Sequence, residues 1–184
     1  MPARNTSTSF GWVAKTLHWA TVGLVVFQFT VGVGELEVFG DFEDVHGSAG
    51  VALLGVTILR LLWRRAVALP PWPSHLSGAE RRVIHLVEMT LYSMLFAKPI
   101  TGLFLLGADG DDFELFGQVE VPPLWPKSDE SEEFFDAAHF VTGLILLAAI
   151  VCHVALVVGR RLLPRMVPLL QSQPEPRLER TKPG

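Results

Sequence analysis

Four stretches of the chain are apolar enough to leave water: roughly Leu17–Gly34, His46–Trp63, Val83–Gly107 and Ala137–Val158. Each is near the ~20 residues a helix needs to cross about 30 Å of hydrocarbon. A water-soluble helical bundle would carry polar stripes at a spacing of about 3.6 residues, and these segments show almost none. The pattern predicts an all-α membrane protein: one bundle of four transmembrane helices over residues 1–163. The remainder, 164–184, includes QSQPEPRLERTKPG. It is polar and proline-containing, and is expected to be a disordered extension.

Composition agrees, with 49% hydrophobic and only 18% charged residues in 184. The charges are sorted by connection. Arg4 and Lys15 precede the first span. Arg64, Arg65, Arg81 and Arg82 lie between the second and third, and Arg160, Arg161, Arg165, Arg177, Arg180 and Lys182 follow the fourth. The other two connections are acidic. Glu35, Glu37, Asp41, Glu43 and Asp44 have no basic companion, and residues 108–136 hold ten carboxylates against Lys127 alone. The positive-inside rule then places both termini in the cytoplasm. This explains the basic residues by topology, so no nucleic-acid partner is expected. Gly32-Val33-Gly34 could be taken for a signal-peptide cleavage point. Cleavage would discard His18 and leave three spans, so the segment is read as retained. Cys152 is the only cysteine; it can form no intramolecular disulfide and is expected to pack as a small residue beside His153.

The spans contain histidines, and an ionisable ring in a membrane marks a functional site by default. His139 and His153 share the fourth span. Their separation of fourteen residues amounts to about 21 Å along a helix and roughly 40° in direction. One helix thus presents an imidazole near each side of the bilayer. His46 opens the second span on the outer side, while His18 lies near the cytoplasmic side of the first. Depth therefore pairs His46 with His139 outside and His18 with His153 inside. His85, beside Arg81 and Arg82, is also cytoplasmic and competes with His18. His75, in PPWPSH, reads as a solvated loop residue.

Two facing imidazoles can ligate one metal axially, and two such layers suit two haems b. Zinc is the rival metal, but a closed zinc site wants four ligands and neither layer clearly supplies them. No Cys-x-x-Cys-His is present, so any haem is held non-covalently. His46-Gly-Ser-Ala-Gly50 and His139-Phe-Val-Thr-Gly143 share the pattern H-x-x-x-G. Gly50 and Gly143 would leave room for a flat ring one turn deeper, although small residues also serve ordinary helix packing in membranes. Gly32, fourteen residues after His18, would border the outer layer. Arg60 projects from the face of His46 at the inner layer. Lys98, in FAKPITG, is an ammonium at membrane depth. Haem propionates or a quinone head are candidate partners for Arg60 and Lys98; snorkelling is the alternative for Arg60 and suits Lys98 less, since it lies nearly three turns from the span's outer end.

KTLHWATVGLVVF, HGSAGVALLGVTILRLLWR, HLVEMTLYSMLFAKPITG and AAHFVTGLILLAAIVCHVALV together resemble the bacterial cytochrome b561 family over most of residues 11–161. The resemblance implies a four-helix bundle in the inner membrane, two haems b, and electron transfer linked to the quinone pool of a respiratory chain. It also implies that His18, His46, His139 and His153 are the axial ligands. His85 matches a histidine common in the third span, to be placed beside the inner haem or a quinone. Some members resemble superoxide oxidases, passing an electron from superoxide to ubiquinone, and related cytochrome b subunits anchor hydrogenases or dehydrogenases. The acidic outer connections repel an anion and favour a cationic redox protein as donor. A histidine-lined metal or proton transporter is the reading from another class. It calls for acidic groups within the spans, where Glu88 is the only clear one.

Overall fold

The structure is a computed structural model that describes residues 2–6, 9–34, 42–110 and 113–166. The acidic residues Glu35, Glu37, Asp41, Asp111 and Asp112, and most of the tail expected to be disordered, lie outside the described residues. Four helices dominate: α1 (Trp12–Gly34), α2 (Phe42–Ala66), α3 (Gly78–Asp109) and α4 (Asp129–Gly159). A small antiparallel hairpin, β1 (Phe113–Leu115) and β2 (Val119–Val121), lies between α3 and α4, and a 3₁₀ turn (Leu163–Arg165) follows α4. Among the described residues, α2, α3 and α4 are long and apolar enough to cross a membrane.

The helices outrun the apolar windows because polar caps let them continue past the hydrocarbon. At the start of α3, the Glu80 N–H donates to Ser77 Oγ at 3.3 Å and the Ser77 N–H donates to Glu80 Oε2 at 2.7 Å. This reciprocal arrangement satisfies two otherwise orphaned donors. The other end of α3 stops at Gly110, whose φ of 86° is the left-handed conformation that glycine adopts without a Cβ clash. Ser128 caps α4 by accepting from the Ser131 N–H at 3.5 Å. Glu80 also pairs with Arg160 at 2.8 Å, tying the first turn of α3 to the last residues of α4.

Burial is distributed as in a lipid-facing bundle. Phe140, Leu144, Leu147, Val151, Val154 and Val158 of α4 are all exposed on one side, where they would meet acyl chains. Cys152 is exposed as well; it does not pack in the core as expected. The interior is a small cluster of Leu53, Leu95 and Leu146, with Leu24, Val25, Phe29, Leu91, Met94 and Ile150 against it. Leu146 stands seven residues from His139 and seven from His153. The apolar core therefore sits midway between the two histidine layers. Thr57, fully buried beneath it, donates its hydroxyl to the Leu53 carbonyl at 2.7 Å, so no polar group is stranded there.

The hairpin has a signal in the sequence, FEL-FGQ-VEV, two alternating runs around a glycine, which the hydrophobic pattern of the spans overshadows. It is fastened to the N-terminal end of α2. Ser48 Oγ accepts from the Phe116 N–H at 2.8 Å, and Asp44 Oδ1 accepts from the Glu114 N–H at 2.6 Å.

Candidate functional site

The two histidine layers are present as two pairs of facing rings. In the pair expected on the outer side, His46 of α2 meets His139 of α4, with ring centres 6.2 Å apart and planes at 73°. In the inner pair His18 of α1 meets His153 of α4, with centres 6.4 Å apart and planes at 54°. A first-row metal bound trans between two imidazole nitrogens at about 2.0 Å each, with each ring centre roughly 1.1–1.2 Å behind its nitrogen, sets the centres about 6.3 Å apart. Both pairs match that span. Among the described residues no group of three or more histidine, cysteine, aspartate or glutamate side chains converges on a point. Each layer thus offers two protein ligands, the number an axially bound haem needs and half the number a closed tetrahedral zinc site needs.

The outer pair is held from behind. His139 Nδ1 lies 3.1 Å from the Lys98 carbonyl and 3.3 Å from Thr101 Oγ1. A carbonyl can only accept, so a proton on Nδ1 satisfies it and would leave the Nε2 lone pair open to a metal. Glycines lie against both rings. A Cβ on Gly32 would approach His46 Cε1 to 2.9 Å, and one on Gly102 would approach His139 Cε1 to 2.9 Å. Gly32 was expected near this layer from its spacing; Gly102 was not. Lys98 donates to the His139 carbonyl at 2.9 Å, and Gln28 donates to the His46 carbonyl at 3.1 Å. At Gly50 and Gly143 the space faces protein groups: a Cβ would lie 3.1 Å from Gln28 Nε2 and 3.2 Å from Lys98 Nζ, respectively.

The inner pair borders a cavity of about 340 Å³ lined from all four helices, with Arg60, Trp63, Glu88 and Tyr92 at its polar end. His18 Nδ1 and Trp63 Nε1 are buried and find no partner among the described residues. Buried nitrogens left without a partner on residues beside a cavity fit a bound group that completes them. The guanidiniums of Arg60 and Arg64 lie over the Tyr92 ring at 5.4 and 5.8 Å, and Arg64 pairs with Glu88 at 2.8 Å. Glu88, the acid within the spans, is thus engaged with a cation. His85 is exposed on α3 and is not among the residues lining the cavity. His75 contacts the Arg160 carbonyl through Nε2 at 3.1 Å, which pins its loop to the end of α4.

The class that fold and site define is a helical membrane protein with stacked histidine pairs spaced for axial metal ligation. The sequence profile of prokaryotic cytochrome b561 matches residues 9–169, and the chain belongs to that family of membrane b-type cytochromes, which bind haem b and transfer electrons. A relative, cytochrome b561 homolog 2 of Escherichia coli (strain K12), is 26% identical over 160 residues, covering 83% of this chain and 85% of the relative. Gln28, Trp63, Thr101, Tyr92 and Gly102 were not singled out by sequence reasoning, and Arg64 was read only for topology. A four-residue spacing from a polar side chain to a glycine, in Gln28-x-x-x-Gly32 and Lys98-x-x-x-Gly102, is the signal that could have found two of them.

Proposed function

We propose that this protein is a diheme electron carrier of the inner membrane, with one haem b between His46 and His139 and the other between His18 and His153. The observation that carries this is the pair of ring separations, 6.2 and 6.4 Å, in two layers joined by one helix. Haem supplies reversible one-electron chemistry when bound; the chain binds it, orients its ligands and keeps water away. In this reading α1 is a fourth span, both termini are cytoplasmic, and residues 1–163 form the cytochrome domain. Arg60, with Trp63 Nε1–H beside it, receives propionate oxygens at the inner layer. Electrons pass between an outer-face donor and the quinone pool.

For the donor, charge favours a cationic redox protein over superoxide. Glu114, Glu120, Asp129, Glu130, Glu133 and Asp136 are exposed. The two cations of the outer half are engaged with carbonyls, Lys127 with that of Asp109 and Lys98 with that of His139. The test of the cofactor assignment is the difference spectrum of the purified protein. A b-type band with close to two haems per chain is expected; a colourless preparation from haem-replete cells, or one with stoichiometric zinc, overturns it.

A further inference from the structure

Two contacts made around His139 are repeated around His46 at matching positions. On the α1–α2 side, Gln28 donates to the His46 carbonyl at 3.1 Å. The His46 ring rests on Gly32, four residues beyond Gln28, with its Cε1 2.9 Å from where a Cβ would stand. On the α3–α4 side, Lys98 donates to the His139 carbonyl at 2.9 Å. The His139 ring rests on Gly102, four residues beyond Lys98, with Cε1 again at 2.9 Å. The ligand helices repeat too. Gly50, four residues after His46, makes the room that Gln28 Nε2 approaches at 3.1 Å. Gly143, four residues after His139, does the same for Lys98 Nζ at 3.2 Å.

Both halves therefore pair a donor-x-x-x-Gly helix with a His-x-x-x-Gly helix. A spacing of four puts donor and glycine on one face, one turn apart. The donor of the first helix then reaches the backbone of the second where that helix's glycine admits it, and the histidine of the second helix reaches the first helix where its glycine admits the ring. Each helix supplies one projection and one recess. The α1–α2 and α3–α4 hairpins thus carry the same interlock, and the two copies face each other across the outer pair.

We infer that Gln28 and Lys98 are equivalent positioning residues of one interhelical lock used twice, each fixing the backbone and ring of the outer-layer histidine on the next helix. The lock acts through a hydrogen bond to a carbonyl rather than through charge. Glutamine and lysine can therefore hold the same place, their shared property being an N–H donor on a long stem. The inference rests on the reading that His46 and His139 ligate one haem.

The test uses the purified full-length protein in detergent, with haem content, redox titration and low-temperature electron paramagnetic resonance as readouts. Loss of a partner behind a metal ligand typically weakens retention by about 10–100-fold. Gln28→Leu and Lys98→Met should each weaken retention of the same outer haem by about tenfold or more and alter its resonance signature. The inner haem, unchanged, reports that the chain is folded. Lys98→Gln and Gln28→Lys, which exchange the two donors, should stay close to the unaltered protein. Gly32→Ala and Gly102→Ala should both displace a ring and lose that same haem. Outer-haem retention and resonance unchanged in Gln28→Leu and Lys98→Met would overturn the inference. So would a Lys98→Gln variant as defective as Lys98→Met, which would assign Lys98 a charge role. His46→Ala and His139→Ala affecting different haems would instead overturn the ligand reading, and the inference with it.

Discussion

At the scale of single residues, His139 shows how the surroundings of a proposed ligand would prepare it. The Lys98 carbonyl and Thr101 hydroxyl at its Nδ1 select the tautomer, and Gly102 sets how close the ring can come to α3. His46→Ala and His139→Ala should produce one shared spectral and redox defect, while His18→Ala and His153→Ala share a different one. His85→Ala should keep both haems, because its ring is exposed and away from the inner cavity. Difference spectra and redox titration of the five variants check all of this. Loss of the inner haem in His85→Ala, with retention in His18→Ala, would exchange those two residues.

At the scale of elements, the caps are separable from the cofactor chemistry. Ser77→Ala removes the side-chain acceptor for the Glu80 N–H, and loss of such a cap costs about 1 kcal/mol. A lower midpoint in thermal unfolding with an unaltered haem spectrum is expected. Ser48 is different, since it sits two residues from His46 and its hydroxyl holds the hairpin through the Phe116 N–H. Ser48→Ala leaves that amide without its partner, a change worth about 1–3 kcal/mol where the group stays buried. Faster hydrogen exchange across residues 113–121 is expected, with haem content retained. Unchanged exchange would mean that Asp44 alone fastens the hairpin.

At the scale of the whole molecule, the sorted charges make two predictions. In a Cys152→Ser background, a cysteine at Asp129 should react with an impermeant reagent added to spheroplasts, and one at Ser74 should not. Reversed labelling would exchange the inner and outer layers throughout. The acidic outer face also predicts the sign of a salt effect. Added salt screens exposed charges over about 8–10 Å at ordinary ionic strength, so reduction by a small cationic donor should slow while reduction by an anionic one quickens. Stopped-flow reduction at two salt concentrations reads both. A cationic donor indifferent to salt would remove electrostatics from the choice of partner.

What the sequence determined by itself follows from quantities that add along one chain. Apolar length marked the four helices, and the side of the basic residues set the expected orientation. The distance of each histidine from a span end assigned its layer, since rise per residue converts position to depth. Rotation about the helix axis and the choice of neighbour are different in kind, because they depend on how four cylinders pack. The family resemblance pointed to His18 over His85, and the tertiary structure supplied the geometry, with the His18 ring facing His153, since two histidines of equal depth differ only in the direction they point. Tertiary structure alone decided that Lys98 and Gln28 reach across to carbonyls of the next helix, and that Gly50 and Gly143 admit these donors. A hydrogen bond between helices is invisible to periodicity, since its donor and acceptor share no fixed spacing in the chain; only when the two hairpins lie side by side do the four-residue spacings turn out to describe one lock, made twice.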